Sequence, residues 1–165
     1  MRNLNQLFVF TNSRKIREFN AGFNDELIPK SLSIAEFYKK AVFVNGRFEC
    51  DSTYALVLMN RACASVKEAN SVLKIPTEFF EFLKNNDYLF SFFKELAISK
   101  KSIEEIKFND IYADFEEHLS ILEAVLKEYE SLLDKEDLYD DITLPKIYSI
   151  NEAYIRSFSE ISLHI

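Results

Sequence analysis

The chain has 165 residues, 48% of them hydrophobic, with 16 Phe and 8 Tyr but only two Gly and three Pro. That is ample apolar material for one packed domain; it argues against a disordered chain, and the shortage of turn formers favours helices over a many-stranded sandwich. The formal charge of −7 is uneven. Residues 1–50 carry eight basic and five acidic side chains, a balance of +3, and residues 51–165 carry twelve and twenty-two, a balance of −10, so only the N-terminal third suits a nucleic-acid backbone.

Leu7 to Thr11 form an uncharged aromatic and β-branched run that predicts a buried strand. Ser13 is the predicted cap of the next helix, whose apolar positions are Ile16, Phe19 and Phe23, with Gly22 near its end. Leu27-Ile28-Pro29 predicts a short extended segment, because proline cannot continue a helix. Ser33-Ile34-Ala35-Glu36 has the capping-box pattern, followed by Ile34, Phe37, Tyr38, Ala41 and Val42 on one helical face. Two strands joined by a helix predict parallel pairing.

From Asp51 the chain reads as helical. One helix is expected from Asp51 or Ser52 to about Leu73, and a second, EFFEFLK, opening at Pro76-Thr77. Asp87 is the expected cap of a third, carrying Leu89, Phe90, Phe93, Leu96 and Ala97, and Ser102-x-x-Glu105 is a second capping-box match. The longest helix is expected from about Asp110 to Asp134, on the stripe Ile111, Phe115, Leu119, Leu122, Leu126, Tyr129, Leu133. A further helix is expected over roughly 145–157, and Glu160 to Ile165 alternate as a strand. The expected fold class is α/β and helix-rich: one domain with a small parallel sheet of about three strands built from 1–48 and 158–165, and a large helical insertion over 51–157. An apolar strand as the last segment predicts a piece of a larger domain.

No stretch approaches the ~20 apolar residues of a membrane span, and the N-terminus has no signal-peptide pattern, so a cytoplasmic location and no membrane partner are expected. Cys50 and Cys63 read as free buried thiols. Neither G-x-x-x-x-G-K-[ST] nor G-x-G-x-x-G occurs, so no nucleotide is expected through those motifs and no cofactor is expected in this segment. Asp114 and His118 stand four apart on the expected long helix, two ligands short of a metal site. The run Asp134, Glu136, Asp137, Asp140, Asp141 lacks the glycine and ligand period of a calcium loop and reads as an acidic connection. Phe79, Phe80, Phe82, Tyr88, Phe90, Phe92 and Phe93 are flanked by Glu78, Glu81 and Asp87, which favours core packing or a protein interface over base stacking. No nucleophile elbow or other catalytic constellation is present, so no catalytic or metal residue is assigned.

The stretch that attracts a chemical reading is Thr11-Asn12-Ser13-Arg14-Lys15-Ile16-Arg17. It follows the carboxyl end of a parallel strand, where open α/β sheets bind ligands, and helix amides and three cations converge there. Thr11, Asn12, Ser13, Arg14, Lys15 and Arg17 are therefore candidate contacts for a DNA phosphate. The competing reading is a serine cap with solvated basic residues.

LFVFTNSRKIREFN followed by LIPKSLSIAEFYKKAVF resembles the start of the B subunit of the AddAB-type helicase–nucleases, bacterial relatives of RecBCD. That family opens with a strand, a T/S-x-S/R-R turn, a helix, then L-P-K/R and a [ST]-[IL]-x-E-F helix. PTEFFEFLKNNDYLFSFFKELA, YADFEEHLSILEAVLKEY and LYDDITLP are similar to the same subunit, so the resemblance covers nearly the whole chain. It implies a superfamily-1 helicase-like domain interrupted by helices, in a longer protein whose far C-terminal part carries a PD-(D/E)xK nuclease, often with an iron–sulfur cluster. It implies DNA and a helicase partner subunit as partners, and double-strand-break processing as the activity of the parent. Some members keep a P-loop in the first strand–helix turn; Thr11-Asn12-Ser13-Arg14 stands there without its glycine or Lys-Ser/Thr pair. The implied role of this segment is a non-catalytic scaffold, contacting single-stranded DNA or the partner subunit. A free-standing helical interaction module is the alternative.

Overall fold

The computed structural model describes residues 5–23, 27–107 and 115–164. They divide into two compact units, one of residues up to Asn45 together with Tyr148 onward, the other Gly46–Ile147. The fold is helix-rich with a small, wholly parallel three-stranded sheet.

In the first unit, β1 (Gln6–Phe10) is the central strand, flanked by β2 (Lys30–Ser33) and β7 (Glu160–His164), both parallel to it. Alternation along β1 assigns its two faces. Phe8 and Phe10 meet Phe19 of α1 (Ser13–Asn20), each at 5.0 Å between ring centroids, while Leu7 and Val9 point to the opposite face, fully buried. α2 (Ile34–Ala41) follows β2 directly, with the Ser33–Glu36 capping box formed as the sequence indicates. Two-residue strands β3 (Val42–Phe43) and β6 (Ser149–Ile150) pair antiparallel.

Three sequence expectations move. The cap of α1 is Asn12, not Ser13: the Asn12 side chain accepts the Lys15 amide at 3.0 Å, and Ser13 is already helical. The second strand begins after Pro29 rather than at Leu27, because proline has no amide for the ladder; Leu27 and Ile28 are exposed. The helix expected over 145–157 is three elements: α9 (Leu144–Ile147), β6 and α10 (Glu152–Arg156). The cause is non-local: the Asn151 amide donates to the Ala41 carbonyl at 2.8 Å, and its side chain caps α10 on the Tyr154 amide.

The second unit is built on α3 (Ser52–Ser65) against α8 (Glu116–Lys135). The Asp51 carboxylate caps α3. The expected helix through Leu73 breaks at Val66, where the Ser65 hydroxyl bonds the Ala62 carbonyl, and resumes as α4 (Lys67–Ser71). α5 (Phe79–Lys84) starts later than Pro76-Thr77 because the Glu78 carboxylate is its cap; α6 (Asp87–Ser99) has Asn86 before it, so Asp87 is helical and not the cap. α7 (Ile103–Lys107) carries the expected box between Ser102 and Glu105. The expected start of the long helix, Asp110 and Ile111, lies outside the described residues. On α8 the buried ridge is Ile121, Val125, Tyr129 and Leu133, at i, i+4 spacing, with Leu119 beside it and Leu122 and Leu126 half-buried.

The loop after α8 is held by its acids. β5 (Leu138–Tyr139) pairs with β4 (Phe48–Glu49), Tyr129 Oη donates to Asp140 Oδ2 at 2.6 Å, and the other Asp140 oxygen accepts the Ile142 and Thr143 amides. Asp140 thereby seats Ile142 in the core.

Candidate nucleic-acid interface

All six sequence-selected residues lie where the topology was expected to put them, past the carboxyl end of the central strand. Thr11, Asn12, Ser13, Arg14, Lys15 and Arg17 are exposed. Asn12 is extended, at φ −155°, and turns the chain from β1 into α1. Its side chain satisfies the Lys15 amide and its carbonyl the Ile16 amide at 3.4 Å, while the Ser13 and Arg14 amides have no acceptor among the described residues.

Charge distinguishes this end from its neighbour. Register places Phe10 beside Ser33, so α1 and α2 both begin at the same sheet edge. At α2 the Glu36 carboxylate folds back on the Ser33 amide and hydroxyl, both at 2.8 Å, and those bonds hold its carboxyl below the usual range. That N-terminus is closed by its own acid. The first turn of α1 has no acidic residue. Arg14 pairs with Glu18 at 2.9 Å one turn on, and Lys15 and Arg17 have no ion-pair partner among the described residues. Free amides, the positive end of the helix dipole and two unpaired cations can hold an anion there.

His164 joins this edge, a placement the sequence did not show. Pairing sets it beside Phe10, and its exposed imidazole stacks on the Phe10 ring at 4.8 Å with 20° between planes. The alternation of the last segment signalled a strand, but nothing local carried the register that sets this ring beside the turn.

The other candidates resolve into structure. Asp114 lies outside the described residues, and the described residues hold no cluster of three metal-ligating side chains. In the acidic run, Asp134 pairs with Arg47, Asp141 with Lys94, and Glu136 accepts the Tyr54 hydroxyl at 2.8 Å. Of the aromatic cluster, Phe82 and Phe93 are fully buried and Phe79, Phe90 and Phe92 half-buried, leaving Phe80 and Tyr88 outside. Cys50 and Cys63 are free and buried; burial pushes their thiols up to about 11 and about 12. No described helix is long and apolar enough to cross a membrane.

Comparison with protein families, curated proteins and solved structures found no match.

Proposed function

We propose that this chain is a non-catalytic, superfamily-1 helicase-like segment of a cytoplasmic helicase–nuclease subunit that processes DNA double-strand breaks, resembling the B subunit of AddAB-type enzymes. In this reading it is a scaffold whose α1 N-terminus contacts the backbone of single-stranded DNA beside the helicase partner subunit. The observation that carries the proposal is the contrast at the sheet edge: α2 is closed by Glu36, while α1 presents the Ser13 and Arg14 amides with Lys15 and Arg17 unpaired among the described residues. The strand–helix–strand order and the resemblance of the sequence support it.

Fluorescence anisotropy with a labelled oligo-dT of about 20 nucleotides tests it. The chain binds weakly at about 20 mM salt, with a salt slope of roughly −1.4 to −2 for two or three phosphates. Lys15→Ala with Arg17→Ala weakens binding about tenfold or more and flattens the slope by roughly 1.4. No binding at low salt, or unchanged binding in the double variant, contradicts the assignment.

A second reading is a free-standing helical interaction module. Phe80, 71% exposed, and Tyr88, 52% exposed, favour it. It predicts that Phe80→Ser leaves stability intact and abolishes capture of a partner protein, with the oligonucleotide result negative.

A further inference from the structure

Within the helical unit, the C-terminal half of α6, the 100–102 turn, α7, the middle of α8 and α9 line a cavity of about 540 Å³ that opens to solvent. That size falls in the range of small-molecule sites, about 300–1,000 Å³. Phe93, Leu96, Ile103 and Ile142, all buried, contribute its apolar lining, with Leu126 half-buried.

Most charges around the cavity are already engaged. Glu123 accepts from Lys107 at 2.6 Å and Lys127 at 2.7 Å, bonds that hold its carboxyl below the usual range. Glu130 pairs with Lys146, and Glu105 closes the Ser102 box. Lys100 and Lys101 remain, adjacent in sequence and with no acidic partner among the described residues; Glu104, also in the lining, makes no ion pair among the described residues and lies in the field of Lys127. The backbone fixes where the two lysines leave the chain. Lys100, left-handed at φ 52°, donates its amide to the Ala97 carbonyl, and Lys101 donates to Leu96, both at 3.1 Å. This is the closing pair of a Schellman turn, with lysine at the position glycine normally fills.

We propose that this cavity binds an amphipathic anion: an unbranched or aromatic apolar body against Phe93, Leu96, Ile103 and Leu126, with a terminal carboxylate held by the Lys100 and Lys101 ammonium groups. The apolar lining favours transfer of the body from water, and the two unengaged cations select a carboxylate over a neutral head group. The site is independent of the DNA reading.

Isothermal titration of the full chain with octanoate, and with octanol as its neutral counterpart, tests the assignment. Octanoate binds saturably at one site and more tightly than octanol. Lys100→Ala with Lys101→Ala weakens octanoate about tenfold and leaves octanol unchanged. Leu126→Trp, which fills the cavity from its half-buried side, removes binding of both. Absence of saturable octanoate binding by the natural chain, equal affinity for octanol, or full affinity in the double lysine variant overturns the proposal, and the lysine variant keeps the test decisive if Leu126→Trp fails to fold.

Discussion

In residues 46–147 the buried side chains form one cluster, with Leu58, Met59, Phe82, Leu89, Phe93, Val125, Tyr129 and Leu133 fully enclosed. Among its described residues the sheet unit buries five hydrophobic side chains, Leu7, Val9, Phe10, Ala41 and Val44, while both units leave large apolar side chains exposed, Leu27, Ile28 and Leu163 in one and Phe48, Phe80 and Ile98 in the other. The difference separates two jobs. The helical unit concentrates apolar burial, the dominant source of stability. The sheet unit concentrates directed backbone groups at one edge, where parallel strands end and helices begin, and there the unpaired cations stand.

The comparison breaks most directly in the helical core. Phe93→Ala should cost about 3–5 kcal/mol, read by denaturant unfolding followed through the amides of residues 46–147. Amides of the sheet unit should keep their midpoint; an equal shift in both units would mean that they unfold as one and that the contrast drawn between them is not energetic.

A smaller effect is set by pH. The folded thiols of Cys50 and Cys63 are raised to about 11 and about 12, above the ordinary thiol value near 8.5. Between those values the folded chain holds protons that the unfolded chain has lost, so stability is full below about pH 8.5 and falls as pH rises. By pH 10 the loss should reach about 2 kcal/mol for Cys63. Cys63→Ala should flatten the alkaline slope, and an unchanged slope would remove this thiol from the account.

The smallest effect sharpens the sheet edge. Asn12→Ala removes the cap of α1 and should cost about 1 kcal/mol, confined to the sheet unit. Hydrogen exchange at Lys15 and Ile16 checks it; Ser13→Ala, by contrast, should be nearly silent, since Ser13 accepts no capping bond.

Local signals were legible. The Ser33–Glu36 and Ser102–Glu105 boxes each carry their partner three residues away, and the uncharged run at Leu7–Phe10 and the alternation after Ser159 mark strands by composition and period; these elements formed. What escaped depends on distant partners. Ser149–Ile150 are strand because Val42–Phe43 lie opposite, and Asn151 is a cap because Ala41 fixes its amide. At the candidate site, the sequence placed Thr11 to Arg17 at the strand end, but could not show that Arg14 pairs with Glu18 while Lys15 and Arg17 have no ion-pair partner among the described residues, or that His164 stacks on Phe10. A register of paired strands has no trace in local periodicity.

Amide NMR of the isotope-labelled chain, titrated with single-stranded oligo-dT at low salt, tests the central claim most directly. The account predicts shifts centred on Ser13, Arg14 and Lys15, with those of Ile34 and Ala35 at the closed neighbouring helix small. Shifts centred in residues 46–147, or none at any DNA concentration, would contradict it.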